Sequence, residues 1–152
     1  MTLCTGRRHH PPPARAPSAA PGGVPPTVDL RAPRAAVWQR LIVPSDVLLF
    51  RYSALTFNGH RIHYDRRYVT TQEGYPGLVV HGPLMATMLL DLLRRHLPQA
   101  LVQYFEFKAV SPVFDTTPFW ICGQPEANGK LIKLWVQIAG GPVAMEASAT
   151  LL

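Results

Sequence analysis

The sequence predicts an α+β domain in which an antiparallel sheet wraps around one long buried helix. Two patterns carry that reading. Residues Pro83 to His96 are apolar on nearly every side, and from about residue 104 onward apolar and polar residues alternate with period two. Length sets the scale: 152 residues allow one such domain. They are too few for a barrel of eight βα units, which needs ~250.

The first 36 residues hold eight of the 16 prolines and five Arg against a single acid, Asp29. Such a stretch cannot bury a core and is expected to be a disordered Pro/Arg-rich tail, with the domain proper at 37–152. Its Arg-rich, acid-poor character resembles a mitochondrial transit peptide, but Pro in the interior opposes a targeting helix. A plain linker, or an over-extended start of the reading frame, fits its composition better. The expected compartment is therefore the cytoplasm, with the mitochondrial matrix as the alternative.

Order is expected from Trp38. Trp38 to Val43 reads as a strand stopped by Pro44. Ser45 caps a short helix, Asp46 to Leu55, with Asp46 in its first turn. Asn58-Gly59 marks a turn, residues 64–69 a short helical turn and Glu73 to Pro76 a loop. Pro83 opens the long helix, where Pro is favoured, and Leu84, Met85, Met88, Leu89, Leu90, Leu92 and Leu93 leave it little polar face. Arg94, Arg95 and His96 suit its C-terminal dipole, and Pro98 forbids continuation.

The strands follow. Phe105, Phe107 and Ala109 face one way and Tyr104, Glu106 and Lys108 the other. Phe119 and Ile121 lie in a third strand. Asn128-Gly129 is a hairpin turn into a fourth, with Ile132, Leu134, Val136 and Ile138 on one face. Gly140-Gly141 turns into a fifth, with Val143, Met145, Ala147, Ala149 and Leu151 inward. Strand, short helix, long helix and four antiparallel strands make the hot-dog arrangement. Its open edges call for a symmetric dimer.

Composition excludes several functions. The tail is net +4, so residues 37–152 carry only +2, and no basic face for nucleic acid is expected on the folded part. The run Met88-Leu89-Leu90 is broken at once by Asp91, and no stretch approaches the ~20 apolar residues of a membrane span. Cys4 and Cys122 have no CxxC partner, so neither a disulfide framework nor a cysteine zinc site is indicated, and the natural setting is reducing. Cys122 reads as a small core residue.

Chemistry concentrates in Phe57–Asp65 and Gly77–Pro83. His63 follows a turn and has the ordinary imidazole range, ~6.5, suited to proton transfer near neutrality. An isolated His is more often a surface residue, but His60, His63 and His81 flank one buried helix. His60, His63 and Asp65 offer metal ligands, yet no spacing brings His81 to them, and no metal is expected. Gly82 stands at the start of the long helix, where free N–H groups and the dipole suit an oxyanion; a tight turn alone would also explain it. Arg61, Arg66 and Arg67 could hold phosphates or simply face solvent. Asp65 can cap the helical turn, and Tyr64 and Tyr68 read as packing residues.

Phe50-Arg51-Tyr52-Ser53-Ala54-Leu55-Thr56-Phe57-Asn58-Gly59-His60-Arg61-Ile62-His63-Tyr64-Asp65, with Glu73-Gly74-Tyr75-Pro76-Gly77-Leu78-Val79-Val80-His81-Gly82-Pro83-Leu84, resembles the MaoC-like hydratase/dehydratase superfamily. Within it the pair is similar to the branch holding mesaconyl-C4-CoA and itaconyl-CoA hydratases and the yeast-type mitochondrial 3-hydroxyacyl-thioester dehydratase. The likeness runs from about Trp38 to the C-terminus. It implies a hydro-lyase that reversibly hydrates 2-enoyl thioesters of CoA or carrier protein, with no metal or redox cofactor. The broader family uses an Asp and a His five residues apart. Here His63 matches the His, while Asn58 stands at the acid position, as this branch characteristically has it. An amide orients but takes no proton.

The resemblance thus implies His63 as general base, Asn58 positioning the water, and the Gly82 N–H holding the thioester oxygen. Phe57, Arg61, Val80 and His81 would contact substrate, with His81 shaping the turn. Many members of the branch carry two hot-dog units in one chain, and this chain has room for one. A homodimer, a separate hot-dog partner, or a shortened gene product would account for that. A non-catalytic acyl-thioester-binding subunit and a hot-dog thioesterase are the competing functions; the latter wants a carboxylate or hydroxyl nucleophile where Asn58 stands.

Overall fold

Two strands that are neighbours in the chain, β1 (Trp38–Ile42) and β2 (Val102–Ala109), take opposite edges of one sheet. The helical segment between them must therefore cross the whole sheet, and this lays the long helix over it. The computed structural model describes Pro33, residues 36–127 and residues 129–152. The expected tail, with Cys4, and Asn128 of the hairpin turn lie outside the described residues.

The crossing segment comprises α1 (Asp46–Leu55), a 3₁₀ turn (Arg61–His63), α2 (Arg66–Thr71) and α3 (Gly82–His96). β3 (Phe119–Pro125), β4 (Leu131–Ile138) and β5 (Val143–Leu151) complete the sheet in the order β1-β3-β4-β5-β2, antiparallel throughout. The hot-dog α+β expectation holds. α1 has the expected bounds because Ser45 accepts the Leu48 N–H at 3.2 Å after Pro44 has ended the strand. α3 starts one residue before Pro83, since Pro needs no amide partner in the first turn.

The core lies between α3 and the sheet. Leu84, Met85, Leu89, Leu92 and Leu93 of α3 meet Phe119, Ile121, Ile132, Leu134, Val136 and Met145, all buried. Truncating one such Leu to Ala typically costs about 2–5 kcal/mol. Gly123 admits Trp38 here: a Cβ would lie 2.8 Å from the indole Cε3. The released ring stacks on His96 at the end of α3, centroids 4.8 Å apart.

Two details differ from the sequence reading. α3 is one-sided, with Pro83, Thr87, Arg94 and Arg95 exposed and Met88 and Leu90 half-buried, because the sheet covers only one flank of it. Val143 is not inward: the pairing slips between Val136 and Gln137, so Val143 sits opposite Gln137 and Ala144 joins Met145 in the core.

β2 keeps its expected alternation, but most of its residues are exposed. Phe107 and Ala109 lie opposite Ala147 and Met145, on the helix side, yet Phe107 remains 47% exposed. The strand is an outer edge that α3 does not reach.

Candidate active site

The site forms where the chain leaves α1 and re-enters at the N-terminus of α3. After α1, Phe57 turns through a positive φ of 53°, uncommon for a bulky residue. The Asn58 N–H then donates to the Ser53 carbonyl (2.9 Å), and Asn58 Oδ1 accepts the His60 N–H (3.1 Å). The turn is closed at its far side by the Tyr64 hydroxyl, which donates to the Gly59 carbonyl at 2.9 Å. Asn58 is thus held by its own side chain and by the last turns of α1.

Asp65 caps α2, accepting the Tyr68 N–H at 2.9 Å, and takes two hydrogen bonds from Arg61. The Tyr68 N–H and Arg61 hold its carboxyl below the usual carboxylate range.

The second segment of the site, Gly77 to His81, threads between this turn and residues 113–115. The Val79 N–H donates to the Ile62 carbonyl (3.0 Å) and the Val80 N–H to the Val113 carbonyl (2.8 Å). The Leu78 N–H donates to Asp115 Oδ1 (2.8 Å), and Arg66 pairs with the same carboxylate. Gly77 is required for this close approach, since a Cβ would sit 2.5 Å from Asp115 Oδ1.

His63 and His81 meet at the junction. Both are buried, at 8% and 1% exposure. Their rings stack with centroids 3.7 Å apart and planes 15° apart, and His60 packs edge-on against His63. His63 Nδ1 is 2.7 Å from the Val79 carbonyl oxygen. A carbonyl only accepts, so Nδ1 carries the proton and the lone pair of the neutral ring lies on Nε2. His81 Nε2 is hydrogen-bonded to Ser53 Oγ at 2.8 Å, and its Nδ1 is buried without a hydrogen-bond partner. Burial, aided by the neighbouring His63, pushes the His81 imidazole down to about 4, so it is neutral near pH 7. His81 is also the residue before Gly82, so the stack sets His63 beside the helix N-terminus. A Cβ on Gly82 would have only Met145 Cε, at 3.9 Å, nearby.

A cleft of about 420 Å³ opens above α1, lined by Phe50, Ser53, Phe57, Asn58 and Tyr64. Phe57 is 96% exposed at its rim. The structure therefore brings together Asn58 and Phe57 in one cleft, and His63, His81 and Gly82 at the helix start, with Ser53 between them. It does not bring Val80 or Arg61 to them. The Val80 side chain is in the core, and Arg61 turns to Asp65 and lies over the Tyr68 ring, lining a separate pocket.

The remaining candidates resolve in the same way. Among the described residues no group of three or more His, Cys, Asp or Glu is placed to hold a metal ion. No described helix is long and apolar enough to cross a membrane. Cys122 is buried and its thiol pushed up to about 12 by that burial, which leaves it unreactive.

Ser53 was not singled out from the sequence. Its signal is a small polar residue four positions after buried Leu49, on the inward face of α1.

The family model described as hydroxyacyl-thioester dehydratase type 2 matches residues 17–115. The chain belongs to this family. The match begins upstream of Trp38, so the likeness reaches into the stretch that the sequence reading placed outside it.

Among relatives of this dehydratase family, the mesaconyl-C(4)-CoA hydratase of Chloroflexus aurantiacus is 47% identical over 132 residues, 87% of this chain and 46% of that protein. The mitochondrial hydroxyacyl-thioester dehydratase type 2 of Schizosaccharomyces pombe is 40% identical over 98 residues, 63% of this chain and 31% of its own length. The chain spans about half or less of the curated relatives it matches. Solved structures agree on the fold. The (R)-hydratase from A. caviae superposes with a TM-score of 0.64 at 18% identity, covering 74% of this chain and 90% of that one. A (3R)-hydroxyacyl-ACP dehydratase complex from Mycobacterium tuberculosis gives 0.62 at 14% identity, covering 76% and 93%.

Proposed function

We propose that the chain is a hydro-lyase that adds water across the double bond of 2-enoyl thioesters and removes it from 3-hydroxyacyl thioesters. The observation that carries the reading is the His63 tautomer. With Nδ1 bound to the Val79 carbonyl, Nε2 is the basic atom, beside the N-terminus of α3. In the hydration direction His63 Nε2 takes a proton from water as the water oxygen bonds to C3. The displaced electron pair passes to the thioester oxygen, which the Gly82 N–H and the dipole of α3 stabilise. The imidazolium returns its proton at C2. Asn58 orients the water through its amide, and Phe57 flanks the acyl chain.

The reaction as written is charge-balanced without a metal or redox cofactor, and the chemistry needs only groups of the chain and substrate. The mesaconyl-type relative points to a short acyl-CoA, and the dehydratases to a carrier-protein thioester. Pairing with a second hot-dog unit, in a homodimer or with a different chain, is part of the proposal. The exposed β2 edge and the twofold length of the first relative support it.

The test is loss of enoyl-thioester absorbance when the full chain meets crotonyl-, mesaconyl- and itaconyl-CoA and a long enoyl thioester. Turnover on one of them, lowered at least ~10²-fold in His63→Ala, is the expected result. Turnover that survives His63→Ala would remove the base from the mechanism. A well-folded chain inert on the whole panel would turn the reading to a binding half-unit.

A further inference from the structure

We propose that Ser53 is a positioning residue that couples the Asn58 turn to the His63–His81 stack. The inference rests on the hydro-lyase reading for its catalytic consequence, but its geometry does not. Ser53 is buried, at 5% exposure, and it has two separate attachments. Its backbone carbonyl accepts the Asn58 N–H at 2.9 Å, and its hydroxyl is bonded to His81 Nε2 at 2.8 Å. One residue therefore ties the water-orienting amide to the ring against which His63 lies.

The second attachment matters because of what His81 lacks. Its Nδ1 is buried without a hydrogen-bond partner, so Ser53 is the polar anchor holding this ring. Tyr52 packs edge-on, centroids 4.9 Å apart, and supplies no hydrogen bond to it. Without that anchor no hydrogen bond fixes the His81 ring about χ2, and only its packing against His63 and Tyr52 opposes rotation. Rotation breaks the 15° alignment with His63. His63 is itself fixed at Nδ1 by Val79, so the stack controls tilt of the ring about that bond, and thereby where Nε2 points. His60 packs against His63, and Tyr52 against His81.

Ser53→Ala removes the hydroxyl and leaves the carbonyl bond to Asn58. It fits the space and continues the helix, so the chain is expected to fold. Two readouts on the full chain decide the matter. One is the titration midpoint of the His63 imidazole, followed by NMR of ring-labelled histidine, which needs no turnover. The other is kcat against KM on whichever panel thioester the wild type hydrates.

Positioning predicts a His63 midpoint moved by about half a pH unit or more. It also predicts kcat down roughly tenfold with KM little changed. In a double-mutant cycle with His81→Phe the losses should not add, because either change breaks the same link. Ser53→Thr, which keeps the hydroxyl, should restore the midpoint. An unmoved midpoint in Ser53→Ala, or losses that add in the cycle, would overturn the proposal, and a lowered Tm alone would not rescue it. If the wild type hydrates nothing on the panel yet the midpoint moves, the link stands and the hydro-lyase reading falls.

Discussion

The imidazole rings of His63 and His81 lie face to face, 3.7 Å between centroids, and burial keeps His81 neutral near pH 7. His81 is the more deeply buried, and a charge on it would face any charge on His63. Its imidazole is depressed to about 4, against the ordinary ~6.5 of an unfolded chain. Between those values the unfolded chain binds a proton that the folded chain refuses. Stability is therefore complete above about pH 6.5 and falls as pH drops toward 4. At roughly 1.4 kcal/mol per pH unit the loss is about 3 kcal/mol. Denaturant unfolding at pH 7.5, 5.5 and 4.5 checks this, and His81→Phe should flatten the slope. Depressed carboxylates such as Asp65 and Asp91 add to the loss only below about pH 5, so an equally steep slope between pH 7.5 and 5.5 in His81→Phe would assign the loss to another group.

Gly82 tests the ligand side of the site separately from the fold. A Cβ there meets ordinary packing distance at Met145 Cε, 3.9 Å away, and its φ is not one reserved for glycine. Gly82→Ala should fold with stability within about 1 kcal/mol of wild type. The new methyl would stand where a thioester oxygen approaches the N–H, and kcat/KM should fall about 10²-fold. Thermal unfolding alongside kinetics separates the two. Full activity in Gly82→Ala would show that the oxyanion is held elsewhere.

How much of this was legible in the sequence depended on where the signal resided. α1 was readable to the residue because Pro44, Ser45 and Asp46 act locally and in series. The strands were readable from period two, but the slip at Val136/Gln137 was not, since a bulge leaves the alternation on each side intact. In the site, His63 and Gly82 could be singled out as candidates by type and position, and Asn58 only through the family resemblance. The Val79 carbonyl that sets the His63 tautomer could not, because a backbone acceptor has no residue signature. Arg61 read as a phosphate ligand, but Asp65 stands four residues later and takes it. Ser53 was hidden because the apolar residues of α1 form no stripe that would mark its inward face.

The loop that carries Val79 and His81 depends on a single missing side chain. A Cβ at Gly77 would lie 2.5 Å from Asp115 Oδ1 and 2.7 Å from Thr116 Cγ2. Asp115 cannot simply retreat, since it also accepts from the Leu78 N–H and pairs with Arg66. Gly77→Ala should therefore destabilise by about 1–3 kcal/mol. It should also reduce kcat, because Val79 and His81 move with the loop. Chemical denaturation of Gly77→Ala beside Gly74→Ala gives the comparison: Gly74 has open space around it but a φ of 69°, so it carries backbone strain without the Asp115 clash. Equal stability in wild type and Gly77→Ala would mean that the Asp115 contact is slack.

The β2 edge carries the last expectation. Val102, Tyr104 and Phe107 are exposed on a strand that has β5 on one side only. Such a row of unpaired backbone groups and apolar side chains is a template for pairing, and native chains ordinarily cover it. Tyr104 and Phe107 lie on opposite faces of the strand, so a partner continuing the sheet would contact both. Sedimentation of the full chain at micromolar concentration should give a dimer, and Tyr104→Glu with Phe107→Glu should give a monomer. Both substituted side chains are exposed, so the far-UV spectrum should match wild type while turnover falls at least ~10-fold, the loss expected if the site is completed across the pair. A wild-type monomer with full turnover would show that one hot-dog unit suffices and that the exposed edge serves no assembly of this chain.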